Sequence, residues 1–349
     1  MIEWTDVTWN PVRGCSRVSE GCRNCYAERQ AARFSGPGQP FFGFATAVVV
    51  CPTCGGKGSV SGPVFGCPLC GDGFNKGRGC VAGPARWTGD VELIPEKLDE
   101  PLHWRKPRRV FVNSMSDLFH EQLSDDAIDQ VFAVMSFAPQ HTFQVLTKRP
   151  ERMLNYLNGV RGGPASRRFF THAQAINLPG DGVKPPWLGW PLPNVWLGVS
   201  VEDQASFDDR VLPLVSTPAA VRFISYEPAI GPIDFSLPVA PMATPLLRPT
   251  DPGNGIGCVH WVIVGGESGP GARPCDLAWI RSAVEQCKAA GVPVFVKQLG
   301  ARPLFHSSPG EPGAAPCDGA CCRVFDRKGG NPVEWPKDLR VREFPGGGK

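Results

Sequence analysis

The sequence predicts an α/β fold: a partial or full (β/α) barrel of about six to seven parallel strands, carrying a small zinc-binding insertion. Three patterns predict it. Short β-branched apolar runs recur along the chain. Segments of helical period lie between them. One Gly/Pro-rich stretch interrupts the series with paired cysteines of its own. At 349 residues and 42% hydrophobic, the chain can build one large α/β domain with insertions.

The first strand falls in "VTWNPVRGC" near the N-terminus. Six further runs follow: 108–117, 142–150, 194–203, 221–228, 260–269 and 292–300. Each has a continuous apolar core of four to six residues, as a strand buried on both faces requires. In "DDAIDQVFAVMSFA", Ile128, Val131, Phe132 and Met135 recur at helical spacing, with Ser124 or Asp125 as cap. In "DLAWIRSAVEQCKAAG", Asp276 caps, Ile280, Ala283, Val284 and Cys287 face inward, and Gly291 closes the helix. The expected organisation is a first strand and cysteine loop (1–34), a zinc-binding insertion (35–90), the remaining barrel (91–300) and an irregular C-terminal tail (301–349). Residues 236–258 read as a long loop between two strands.

The net charge of +3 does not by itself indicate a nucleic-acid partner. The run "HWRKPRRV", with Arg105, Lys106, Arg108 and Arg109, is either a solvated face or a phosphate-tracking surface. The N-terminus lacks the basic and apolar regions of a signal peptide, and no apolar stretch is long enough to span a bilayer. A cytoplasmic, membrane-free monomer is therefore expected. In that reducing setting, fourteen cysteines point to metal or catalysis rather than to disulfides.

Parallel (β/α) folds collect their chemistry at the carboxyl ends of the strands. Here those ends carry Asn113, Ser114, Ser116 and Asp117, then Thr147, Lys148 and Arg149, then Ser200, Glu202 and Asp203. Ser225, Tyr226 and Glu227 follow, then Gly265, Gly266, Glu267 and Ser268, and last Lys297 and Gln298. Six such ends on one rim predict a lined pocket.

Cys15, Cys22 and Cys25, spaced C-x6-C-x2-C, follow the first strand and open onto the same rim. Three soft thiolates suit an iron–sulfur cluster with one iron left for a small molecule. A zinc site with a remote fourth ligand and three unrelated core thiols are the competing readings. A second set, Cys51, Cys54, Cys67 and Cys70, has the C-x2-C-x12-C-x2-C spacing of a closed structural zinc site. Lys57, Lys76 and Arg78 would let that insertion grip nucleic acid as well. Cys317, Cys321 and Cys322 are either a further metal site or accidental thiols.

The three-cysteine loop resembles that of radical S-adenosylmethionine (SAM) enzymes, which hold a four-iron four-sulfur (4Fe-4S) cluster after the first strand of a partial (β/α) barrel. The chain keeps C-x2-C and an adjacent aromatic, as Cys22, Cys25 and Tyr26, and lengthens the first gap from three residues to six. The whole chain is similar to an uncharacterised bacterial and phage family. The shared stretches are the Trp-Thr-x-x-Thr-Trp-Asn-Pro opening, "FVNSMSDLFHE", "FQVLTKRPERM", "WLGVSVEDQ" and "VIVGGESGPGARP". "VLTKRP" followed by "LGVSVED" and "DDR" also resembles strand ends of spore photoproduct lyases, which split a thymine photolesion in DNA.

These resemblances imply the 4Fe-4S cluster on Cys15, Cys22 and Cys25, SAM as cofactor, and an electron donor such as a flavodoxin or ferredoxin. By the lyase likeness, Lys148 would hold the SAM carboxylate and Ser200 its amino-acid or ribose part. Tyr26, Ser114, Ser116, Glu202 and Glu227 are further candidate cofactor contacts. Gly265, Gly266 and Glu267 invite comparison with a glycine-rich motif for the methionine amine, or form only a tight turn with a capping serine. Tyr226 is the candidate hydrogen-atom relay, or packs against a base. The expected substrate is damaged DNA, a thymine photoproduct, whose base must leave the stack to be reached. A protein or small-molecule substrate, a metal-stabilised nucleic-acid-binding module and a hydrolase using the rim carboxylates are the alternatives.

Overall fold

Seven short apolar runs pair into one sheet in the computed structural model, which describes residues 2–50, 57–59, 81–160, 190–235, 258–305 and 325–347. They are β1 (Val7–Trp9), β2 (Arg109–Val112), β3 (Thr142–Thr147), β4 (Val195–Val201), β5 (Val221–Tyr226), β6 (Trp261–Gly265) and β7 (Val294–Gln298). They lie side by side in chain order with every pair parallel. The sheet begins at β1 and ends at β7, so it is an open half-barrel and not a full barrel. Residues 341–343 run antiparallel along the outer edge of β7: Val296 N–H donates to Val341 and Glu343 N–H donates to Val294.

The helices are α1 (Tyr26–Arg33), α2 (Asp125–Phe137), α3 (Pro150–Val160), α4 (Gln204–Ser216) and α5 (Leu277–Ala290). Ser124 caps α2 by accepting from Ala127 N–H, and Asp276 caps α5 by accepting from Ala278 N–H. Gly291 ends α5 in the left-handed conformation, as its sequence position requires. Asp203, expected on the rim, is instead the N-cap of α4 in a capping box with Ser206.

Strand alternation divides the apolar residues into two layers. The larger layer lies between the sheet and its helices and includes Val112, Val145, Val199, Ile224 and Val264. The smaller one fills the concave side with Trp4, Phe111, Phe223, Trp261, Phe295 and Phe344. Above this aromatic floor the concave side turns polar towards the carboxyl ends of the strands.

The insertion contributes a small antiparallel sheet of Ala45–Val50 flanked by Lys57–Ser59 and Val81–Trp87. It packs against α1. Cys51, Cys54, Cys67 and Cys70, expected to bind zinc, lie outside the described residues, as do Cys317, Cys321 and Cys322. Among the described residues no helix is long and apolar enough to cross a membrane.

Candidate functional site

The carboxyl ends of the strands present a ring of acid–base pairs. Asp117, past β2, accepts from Thr147 Oγ1 at 2.7 Å and from Arg149 Nη1 at 3.0 Å. Lys148, past β3, donates to Ser200 Oγ at 2.6 Å and pairs with Glu202 past β4. Glu202 is also held by Arg210 from α4, at 3.1 Å. Burial alone would raise its pKa, but Lys148 and Arg210 outweigh burial and hold the carboxyl below its ordinary range. Glu227, past β5, meets Lys297 on β7 at 2.9 Å and accepts from Ser225 Oγ at 3.2 Å. Burial would discharge Lys297, but the Glu227 carboxylate prevails and raises its pKa. Glu267, past β6, is clamped by Arg273 at 2.7 Å; these bonds overcome burial and keep it ionised.

The cysteine segment lies across this ring and is tied to it at four strands. Ser16 Oγ accepts from Arg149 Nη2 at 2.7 Å and lies 2.8 Å from His120 Nε2. Ser19 Oγ donates to Glu202 at 3.2 Å. Asn24 Nδ2 donates to Glu267 at 2.9 Å, and Tyr26 OH donates to the Ser114 carbonyl at 2.8 Å. Gly21 sits so close to Glu202 that an added Cβ would lie 2.1 Å from Oε1. Gly265 similarly backs Glu227, whose Oε1 would stand 2.7 Å from an added Cβ.

Cys15, Cys22 and Cys25 are free, partly buried thiols within electrostatic reach of one another. Burial, the Asp117 carboxylate and the other two thiols push Cys15 up to about 12, against the opposing pull of Arg149. Burial, more than the adjacent Cys22, raises Cys25 too. Such thiols stay protonated unless a cation replaces their protons. Among the described residues no three His, Cys, Asp or Glu side chains converge closely enough to hold a single metal ion. Three soft thiols are donors of the kind that suits an iron–sulfur cluster, whose thiolates bind separate irons.

The structure brings Ser114, Ser116, Lys148, Ser200, Glu202, Glu227, Gly265, Gly266 and Glu267 to this rim, with Tyr26 over it. Ser116 Oγ donates to the Val12 carbonyl, and Gln298 Nε2 donates to that of Gly266, so both positions serve the framework. Tyr226 is not brought there. It is fully buried in the helix-side core, its hydroxyl donates to the Gly231 carbonyl, and burial raises its pKa. The basic run 105–109 is also remote. Arg109 begins β2 at the amino end of the sheet, 3.2 Å from Asp6 and stacked 4.1 Å over Phe344. A groove of about 900 Å³, lined by Glu3, Asp6 and Arg109 on one side and by Asp326, Lys328 and Asn331 on the other, contains none of the three cysteines.

Sequence reasoning missed the groups that fix the ring: Ser16, Ser19, Asn24, His120, Arg210 and Arg273. Polar residues spaced between the cysteines are the available signal for the first three. Arg210 and Arg273 meet their carboxylates only through the fold. Residues 1–314 match the family model described as "Protein of unknown function (DUF5131)". No curated protein and no solved structure matches the chain.

Proposed function

We propose that this chain, which belongs to the DUF5131 family, is a radical SAM enzyme that holds a 4Fe-4S cluster on Cys15, Cys22 and Cys25. The observation that supports it is the tethering of the three-cysteine segment to the carboxyl ends of β2, β3, β4 and β6. Three thiols above a polar chamber with an aromatic floor suit a redox-active cluster beside an organic ligand. When bound and reduced, such a cluster supplies the electron that splits SAM and yields a radical able to abstract hydrogen.

The chain's own residues bind and orient. The Lys148 ammonium, shared between Ser200 and Glu202, lies where a ligand carboxylate would compete for it. Glu227 and Glu267 suit a ligand amine. The floor of Trp261, Phe223 and Phe295 keeps water from the chamber's base. For substrate we propose a DNA photolesion, of the thymine photoproduct type, with a protein or small molecule as the alternative. Residues 105–109 play no part at the rim, since they occupy the opposite end of the sheet. Tyr226, buried in the helix-side core, does not face the rim and so cannot serve as a relay there.

The test is anaerobic reconstitution with iron and sulfide, followed by a SAM-cleavage assay. The expected product is a coloured protein with about four irons and four acid-labile sulfides per chain beyond any zinc, as a single cubane requires. Replacing Cys15, Cys22 and Cys25 by Ala should abolish the visible absorption and the cleavage. Zinc alone in the native protein, or full iron in the triple variant, would exclude the proposal. Loss of a thymine photolesion from irradiated oligonucleotides tests the substrate separately.

A further inference from the structure

The chain's positive charge is concentrated. Residues 13–44 hold five arginines against two glutamates, which accounts for the entire net charge of +3. Three of these arginines are engaged. Arg13 pairs with Glu92, Arg17 pairs with Glu28, and Arg29 donates to the carbonyls of Asn24 and Pro270. Arg23 and Arg33 remain exposed. Arg23 has the exposed Glu20 at 3.6 Å, a contact that contributes little in water. Arg33 makes no ion pair among the described residues.

Helix α1 arranges what is left. Its inner face buries Ala27, Glu28 and Ala31, and Glu28 accepts from Trp87 N–H of the small sheet at 2.9 Å. Its outer face presents Tyr26, Gln30 and Arg33 at helical spacing, with Arg23 just before and Phe34 just after. All five are exposed and none is acidic. Both rings are exposed on well-held backbone, and one is tied through its own hydroxyl. Tyr26 is 54% exposed while its hydroxyl is tied to Ser114. Phe34 is 43% exposed while its backbone N–H bonds Ala31 and its carbonyl accepts from Phe41 N–H. The tied Tyr26 ring has already lost the freedom that stacking would cost, and the bonded backbone at Phe34 removes part of it there.

We propose that the outer face of α1 is a binding strip for single-stranded nucleic acid. Bases stack on Tyr26 and Phe34, phosphates meet Arg23 and Arg33, and the strip leads directly to the cysteine loop. The helical rise places the two ring positions roughly 12 Å apart along the axis, which leaves room for a short run of nucleotides. Cations alternating with aromatics and an amide match the backbone charge and base faces of a single strand. A protein-docking face would bury an apolar core, and this strip has no aliphatic residue. The inference rests on the nucleic-acid reading of the substrate and supplies the surface that residues 105–109 do not.

The test uses the full-length reconstituted protein without SAM, fluorescent 12-nucleotide single strands of DNA and of RNA, and the matching DNA duplex. Binding is followed by anisotropy between 50 and 200 mM salt. The single strands should bind better than the duplex, and the two sugars identify the natural strand. Phe34→Ala should weaken binding about five- to a hundredfold, the range that loss of one stacked base gives. Arg23→Gln with Arg33→Gln should lower the slope of log affinity against log salt by about 1.4. Arg105→Gln with Lys106→Gln, at the far end of the sheet, should change neither. Far-UV circular dichroism and unfolding midpoints should match the parent, since every altered residue is exposed. Binding lost in the 105/106 variant but kept in the α1 variants would overturn the strip and leave a nucleic-acid substrate standing. Binding of the duplex in preference, without dependence on Phe34, would also overturn it. A protein that holds its cluster and cleaves SAM but binds no strand would remove both strip and substrate class, with the radical reading intact.

Discussion

Single residues show most clearly where burial decides chemistry. His260 Nδ1 accepts the Arg222 backbone N–H at 2.9 Å, and its Nε2 lies 3.3 Å from Cys258 Sγ. The first bond requires an unprotonated Nδ1. Burial, seconded by the Arg222 charge, lowers the histidine to about 4. Its folded value is thus below the unfolded one, so the unfolded chain takes up the proton first. Stability is full above about pH 6.5 and falls as the pH drops towards 4, by on the order of 3 kcal/mol from this group. Urea unfolding of wild type and His260→Gln across pH 7 to 4 should show a shallower decline in the variant. Parallel declines would assign the acid sensitivity to the carboxylates. Tyr226 and Ser225 carry the lesson on legibility. The strand ends were readable as polar, but alternation also fixes which face each residue takes. Ser225 pairs in register with Ser200 on the concave side, so Tyr226, one residue on, must point to the helices. That parity was available in the sequence. The contacts of Arg210 with Glu202 and of Arg273 with Glu267 were not, because they join residues only after the strands are in place.

At the scale of elements, helices were legible to their caps and the cysteine segment was not. Ser124, Asp276 and Gly291 act locally, within one turn of backbone, so sequence spacing fixes their roles. The cysteine segment between β1 and α1 has little regular structure, and its shape comes from partners 88 to 243 residues away. Gly21 is the sharpest constraint on that docking. Glu202 cannot yield easily, since Lys148, Arg210 and Ser19 all hold it. Gly21→Ala should therefore lift the loop rather than move the carboxylate. Thiol-labelling rates for Cys15, Cys22 and Cys25 in the metal-free protein should rise severalfold, with the global unfolding midpoint little changed. Unchanged labelling would mean that the loop is not seated on Glu202 as described. Asn113 adds a second local tension at the same rim. It is buried at positive φ of 60°, its Oδ1 accepts from Val12 N–H, and its Nδ2 has no partner among the described residues. Left-handed backbone and an unmet buried donor both cost free energy, and such features gather at functional sites.

For the whole molecule, an open half-barrel must manage two sheet edges that a closed barrel would not have. The edge of β7 is covered by a segment that the sequence presents only as a Gly/Pro-rich tail. The pairing stretch, Val341 to Glu343, is too short and too close to prolines to carry a strand pattern. It is anchored by what precedes and follows it. Trp335 and Leu339 enter the helix-side core, Phe344 joins the concave aromatic layer, and Trp261 Nε1 donates to the Glu343 carbonyl at 2.8 Å. Arg342 lies 5.3 Å over both Phe295 and Trp335 and so ties the two layers together. Burying three such side chains contributes about 1.5–3 kcal/mol each. That sum is comparable with the whole stability of a typical domain, about 5–15 kcal/mol. A chain ending at residue 324 should therefore lose most of its soluble yield and associate through the bared β7 edge, as light scattering would show. Because the truncated chain can fail for trivial reasons, Leu339→Ala gives the graded version. It leaves the edge pairing intact and should cost about 2–5 kcal/mol in urea unfolding. If residues 1–324 unfold at the parent's temperature and associate no more than the parent does, the tail is a passenger and the β7 edge is tolerated bare. If both variants behave as expected, the C-terminal segment is the eighth element of the sheet in all but sequence pattern, and the half-barrel depends on it to keep the β7 edge covered.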